Sequence, residues 1–414
     1  MSDKTNASRR DFLKGSTAVA ASVAVASQIG IARTAHAAGS DVIKAALIGC
    51  GGRGNGAIED SMNADPGIRV IAVADAFEDR VQGTARRLRE KRADRVDLPD
   101  DRVFSGLDAF EKAIAAGADL IITATPPGFR PMVYAAAIAA GKHVFMEKPC
   151  CVDAPGYRKL MEANQMAEDK GLKVGVGFQR RHQPEYVETI KRIHDGAIGD
   201  VKLLRAYWNG GGIWNRPRKE GATEMQYQVD NWYHFCWLSG DNICEQHIHN
   251  LDIVNWAWAK DGDPKLAHPV EANGMGGCLQ RYLGGNKGTG QIFDEHFVEF
   301  TYADGTKMYS QCRHIPNTFS SVSEYVHGCK GESNCAGWIK GETEWRFRGD
   351  GVNSMVQEHK DLIAAIREGK PYNEGWHGAS SSMTAVLGRM ATYSGKTVKW
   401  DDAIVKGKSA FPEK

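Results

Sequence analysis

Residues 43 to 54 read IKAALIGCGGRG, an apolar run that passes without a break into a cluster of glycines. The run has the composition of a buried strand. Gly49-Cys50-Gly51-Gly52-Arg53-Gly54 fits G-x-G-x-x-G, with a helix-like stretch behind it. Glycines at that spacing permit a tight turn and a close backbone approach to a pyrophosphate, and the following helix turns its first N–H groups toward that charge. A chain that makes this turn is committed to a layered α/β unit. Gly49, Gly51, Gly52, Arg53 and Gly54 are therefore candidate cofactor-binding residues.

A second strand, RVIAVAD, ends on Asp75. That lies roughly 20 residues past the glycines, where a carboxylate accepts from both ribose hydroxyls and repels a 2'-phosphate. The expected cofactor is NAD rather than NADP. Alternation then continues through EDRVQGTARRLREKR, RVFS, GLDAFEKAIAAG, ADLIITATP, PMVYAAAIAAGK and HVFMEKP. Strands that alternate with helices imply a parallel sheet with right-handed crossovers and ligand at the carboxyl ends of the strands. Two such ends carry Thr125-Pro126 and Glu147-Lys148-Pro149.

The chain begins differently. Ser8-Arg9-Arg10-Asp11-Phe12-Leu13-Lys14 precedes an Ala/Val run and then Ala35-His36-Ala37, the order of an export signal with an A-x-A cleavage site. It is similar to the twin-arginine signal, which implies translocation of a folded protein to the periplasm. The run Ala18 to Ala26 is far short of the roughly 20 residues that span a bilayer. Residues 1–37 are thus read as a signal peptide, 38–178 as the NAD-binding domain and 179–414 as a substrate-binding and oligomerisation domain. The 414 residues suit two domains, and a net charge of +1 offers no pull on nucleic acid or anionic membrane. Nine cysteines without framework spacing are read mostly as buried thiols.

With GVGFQRR, DGTKMYSQ and EHKDLIAAIREGKP added to the glycine loop, ATPP and AAGKHVFMEKP, the mature chain resembles the Gfo/Idh/MocA oxidoreductases. The resemblance implies a Rossmann domain followed by an α+β domain with a large, mainly antiparallel open sheet. It implies that Lys148 reaches the nicotinamide ribose and the reacting hydroxyl. The family's D-x-x-x-H element is matched by Glu245 and His249 in CEQHIHNLD, with a longer carboxylate arm. If this stretch is helical, the two share one face and His247 points away. Where many members read N-x-x-H after ATP, this chain has Pro127-Gly128-Phe129-Arg130. Arg181 and Tyr233 follow as substrate contacts from the family's use of those segments, with Trp232 beside them.

Oxidising a secondary alcohol needs a base for the hydroxyl proton, for which His249 has a suitable ordinary pKa of ~6.5, and a cation for alkoxide charge, for which Lys148 serves. Glu245 would orient the imidazole or bind a neighbouring hydroxyl. Trp208, Trp214, Trp232, Tyr233 and Trp237 lie within one short stretch, as a carbohydrate pocket or as core. Cys244, His247 and His249 cluster, but no partner segment completes a metal site and none is expected. The function expected is NAD(H)-dependent oxidoreduction of a sugar, polyol or glycoside with a tightly held cofactor. The alternatives are a redox-neutral NAD-dependent glycosidase and a non-catalytic sugar-binding protein. An open sheet face leads to the expectation of a homo-oligomer, a dimer or tetramer.

Overall fold

The glycine-rich turn joins β1 (Ile43–Ile48) to a helix over Gly52–Ala64, and four further crossovers build on it. The computed structural model describes residues 41–260, 263–279 and 290–412; the signal peptide assigned to residues 1–37 lies outside them. β2 (Ile68–Asp75), β3 (Val103–Ser105), β4 (Leu120–Thr123), β5 (His143–Met146) and β6 (Val174–Val176) pair in the order β3-β2-β1-β4-β5-β6, all parallel. This is the doubly wound order whose reversal point lies between β1 and β4. Register makes the carboxyl ends level: Ile48 lies opposite Ala74 and Thr123, and Thr123 opposite Met146. Gly49, Asp75, Ala124 and Glu147 therefore begin one shared edge.

The second sheet contains β7 (Val201–Gly210), β8 (Glu271–Gly277), β9 (Glu295–Thr301), β10 (Lys307–His314), β11 (Ser321–Gly328), β12 (Gly331–Ser333), β13 (Trp338–Gly341), β14 (Trp345–Arg346) and β15 (Val398–Lys399). Its order is β14-β13-β12-β11-β7-β10-β9-β8-β15, antiparallel except between β7 and β10. Along β10, Met308, Ser310, Cys312 and His314 are buried while the residues between them are half-buried. The buried row of β10 faces the short helix Asn242–Glu245, the same face of the sheet packs on the helices Ile248–Trp258 and Gly375–Ser394, and no helix among the described residues covers the other face.

The chain crosses back after this sheet. The helix Ser354–Glu368 lies against the glycine-loop helix, and its Leu362, Ile363 and Ile366 join Leu47, Ile58 and Phe145 in one core under the first sheet. Truncating the fully buried Leu362 to alanine would cost about 2–5 kcal/mol. The fold of the first domain thus draws on residues far beyond 178. From Ile43 onward the chain is one compact unit. Six of the nine cysteines are buried.

Candidate active site

Two glycines make the phosphate cradle possible. Gly49 has φ +97°, and a Cβ there would sit 2.7 Å from the Ala124 carbonyl carbon; one on Gly54 would lie 1.8 Å from the Gly49 oxygen. A Cβ at Gly51 or Gly52 would meet nothing within 4 Å, so these two face open space. The helix that starts at Gly52 has no side-chain cap and no acidic residue in its first turn, leaving its leading N–H groups for an anion. The Asp75 carboxylate accepts from Cys50 N–H (2.7 Å) and Phe77 N–H (2.9 Å), which ties the loop to β2 and still leaves acceptor capacity for ribose hydroxyls. Gly49, Gly51, Asp75, Thr125 and Pro126 line a cavity of about 260 Å³, with Val229 and Trp232 on the far wall. The donor set and the cradle that a Cβ would fill both suit a dinucleotide. Arg53 does not enter this cavity; its Nε pairs with Glu147 Oε1 at 2.8 Å and its Nη2 with Asp60 at 2.6 Å, bracing the loop against β5.

Lys148 leaves the first sheet at the same edge, directly after Glu147. Its Nζ donates to the Glu245 carbonyl at 2.5 Å and to Glu245 Oε1 at 3.1 Å, so the two domains meet through this lysine. Burial pushes the Glu245 carboxyl up, against the opposing pull of Lys148 and Arg130. His249 is nearly buried, and burial, then Lys148, then Arg180 hold its imidazole well below the ordinary range. It is neutral at neutral pH, as a proton acceptor must be. Trp208 lies nearly parallel to the ring at 6.1 Å between centroids, and Phe178 meets it edge-on at 6.2 Å. Glu245 Oε2 and His249 Nδ1 are both buried without a hydrogen-bond partner among the described residues. Two such acceptors beside an ammonium favour a ligand with adjacent hydroxyls.

The stretch around these residues is not one helix. It divides into Asn242–Glu245 and Ile248–Trp258, because tertiary bonds hold the joint: Gln246 Oε1 meets His314 Nε2 at 2.8 Å and His247 Nε2 meets Ser310 Oγ at 2.7 Å. His247 does turn away from His249, into the second sheet. Cys244 is fully buried in the core, and among the described residues no group of three or more metal-ligating side chains converges.

Arg181 behaves differently from the expectation of a substrate contact. Its Nε and Nη2 form a two-pronged ion pair with the buried Asp252 at 2.8 and 2.9 Å, and its guanidinium lies over Trp256. Arg180, paired with Glu324, is the neighbour whose charge reaches His249. Sequence reasoning missed it because two adjacent arginines carry no signal of which way each turns. Arg130, which stands where many members carry the histidine of N-x-x-H, is buried, donates to the Pro149 carbonyl at 2.6 Å and carries positive charge toward Glu245. Tyr233 is buried, 3.4 Å from His314 Nε2, whereas Trp232 lines the cavity. Trp237 belongs to the core, packed on Phe129 and bonded to Gln228.

Residues 43–178 match the oxidoreductase family with an NAD-binding Rossmann fold, and residues 6–26 match the twin-arginine translocation signal sequence. Inositol 2-dehydrogenase 1 of Saccharopolyspora erythraea is 26% identical over 230 residues, 54% of this chain and 62% of its own. The inositol 2-dehydrogenase/D-chiro-inositol 3-dehydrogenase of Halalkalibacterium halodurans is 31% identical over 51% of each chain. The chain thus spans less than two thirds of the length of these curated relatives. Among solved structures, the aldose-aldose oxidoreductase of Caulobacter crescentus, complexed with glycerol, shares the fold at TM-score 0.65 and 18% identity, over 86% of this chain and 99% of its own. The WlbA dehydrogenase of Bordetella pertussis, in complex with NADH and UDP-GlcNAcA, does so at 0.64 and 18%, over 86% and 98%.

Proposed function

We propose that this chain, a member of the Gfo/Idh/MocA oxidoreductase family through the NAD-binding Rossmann domain of residues 43–178, interconverts a secondary alcohol and a ketone on a sugar, polyol or glycoside. The observation that carries the reading is the meeting of Lys148 with Glu245 beside His249, at the edge where the glycine loop opens. Bound NAD supplies the acceptor or donor of hydride. The chain's own residues manage the rest. The Lys148 ammonium stabilises negative charge on the reacting oxygen. His249, held neutral, takes the hydroxyl proton and returns it in the reverse direction. Glu245 Oε2 accepts from an adjacent hydroxyl and so fixes which carbon is presented.

The names of the inositol dehydrogenase relatives support a polyol or sugar as the substrate class. The twin-arginine signal supports export, and we propose the periplasm as the destination. A soluble nicotinamide pool is not available there, so the cofactor would be loaded before export and held through turnover. The open sheet face exposes Met275 and Phe297, paired across β8 and β9, which supports assembly into a homo-oligomer through that face.

The test is to mix purified protein and NAD with a panel of polyols and aldoses and to follow reduced nicotinamide fluorescence. Reduction that depends on a polyol or sugar, and is lost in Lys148→Ala, is expected. Release of an aglycone without net reduction, or a signal indifferent to Lys148, would contradict the proposal.

A further inference from the structure

The adenosine half of the cleft is closed by the second domain. Val229 and Trp232 complete the cavity that Gly49, Asp75 and Arg80 line from the first. Between these two residues stands Asp230, the last residue of a helix over Glu224–Asp230 that a capping box at Thr223 begins. Its side chain is 11% exposed, forms an ion pair with Arg80, and lies 3.5 Å from Arg216 Nη1. Its backbone is held as well. Arg216 Nη1 donates to the Asp230 carbonyl at 2.5 Å, and Arg216 and Asn231 exchange two further bonds at 2.8 Å.

Arg80 follows Asp75 by five residues and lies over the Phe77 ring at 4.5 Å. Phe77 in turn donates its N–H to Asp75, so the carboxylate expected at the ribose and the guanidinium are held on one short turn. A guanidinium is the group that best pairs with a phosphate on the ribose 2' position. Asp75 alone therefore does not settle the choice, because an acid and a base on one subsite offset each other. Asp230 removes the base. With the guanidinium engaged by a carboxylate from the other domain, the charge left facing the ribose is that of Asp75.

We infer that Asp230 is a specificity-determining residue that excludes the 2'-phosphorylated dinucleotide by neutralising Arg80. The inference rests on the cofactor reading of the cleft. It goes beyond that reading by assigning the choice between NAD and NADP to a residue outside the Rossmann domain.

Equilibrium binding of NAD and of NADP to the nucleotide-free protein, read by quenching of tryptophan fluorescence, tests it without any turnover. In Asp230→Asn the preference for NAD over NADP is expected to fall by about tenfold, the scale of one charge-assisted contact. Adding Arg80→Met to that variant is expected to restore the preference. Arg80→Met alone should not shift the ratio toward NADP, which keeps the test open if Asp230→Asn fails to fold. An unchanged ratio in an Asp230→Asn protein that still binds NAD would overturn the inference, as would a ratio shifted toward NADP in Arg80→Met alone. Wild-type protein that binds neither nucleotide would overturn the cofactor reading together with the inference.

Discussion

The glycine loop of the first domain and the joint between Glu245 and Ile248 in the second both bring polar groups to one point, by opposite means. The loop does so with backbone. Gly49 and Gly54 let β1 and the next helix approach until no Cβ fits between them, and the N–H groups that result are fixed wherever the chain makes that turn. The joint does so with side chains held by their surroundings. Glu245 is set by Lys148 from the other domain, Gln246 by His314, His247 by Ser310, and His249 by the ring of Trp208. A backbone site is specified locally and tolerates change around it. A side-chain site depends on everything that packs against it.

The sharpest break in that comparison is the residue that belongs to both regions. Lys148→Ala should lower kcat by about 1,000-fold, as loss of a stabilising cation does, while NAD affinity changes only a few-fold. Steady-state kinetics beside a binding titration would show the split. A matched loss of binding would mean that Lys148 serves the cradle rather than the chemistry.

Next in size is the support behind the joint. Asp252 takes the two-pronged bond of Arg181 and a third bond from Ser381 at 2.8 Å. Asp252→Asn leaves a buried guanidinium without its charge partner and should cost about 3 kcal/mol in denaturant unfolding. NAD affinity of the folded fraction should be unchanged.

The cradle can be broken with a single methyl group. Gly54→Ala drives a Cβ into the Gly49 oxygen, and the strain should weaken NAD binding by about tenfold to a hundredfold with little loss of fold. Calorimetric titration measures it. Wild-type affinity would mean that the loop relaxes more freely than its packing suggests.

The smallest effect sharpens the electrostatic side. The imidazole of His249 is held below its ordinary value by burial and by two cations, so the acid limb of kcat/KM should lie below pH ~6.5. Arg180→Gln removes one of those cations, and the limb should move up. A limb that stays in place would show that burial and Lys148 alone set it.

The same contrast explains what could be read from the sequence. β1, the glycine turn, Asp75 and the strand ends carrying Thr125 and Glu147 follow from spacing and periodicity, because each is specified within a few residues. The first sheet was legible in the same way, whereas the mainly antiparallel second sheet was expected from the family resemblance. Arg181 and Arg180 were not told apart, since only Asp252 and Glu324, distant in sequence, decide which guanidinium turns toward His249. The break at Gln246 was invisible for the same reason: a helical pattern runs through it, and contacts with β10 override the pattern. The return of residues 354–368 to the first core could not be located either, because an amphipathic helix does not say which sheet it will cover.

The central claim is that an imidazole and an ammonium from different domains converge on the reacting end of one cofactor. The most direct measurement is a crystal structure of the NAD complex. The account predicts the nicotinamide ring within about 4 Å of Lys148 Nζ, with the His249 ring on the same side of the cleft and near-attack distance left for a hydroxyl-bearing carbon. A nicotinamide ring seated away from both residues, with Lys148 still closed on Glu245, would contradict it.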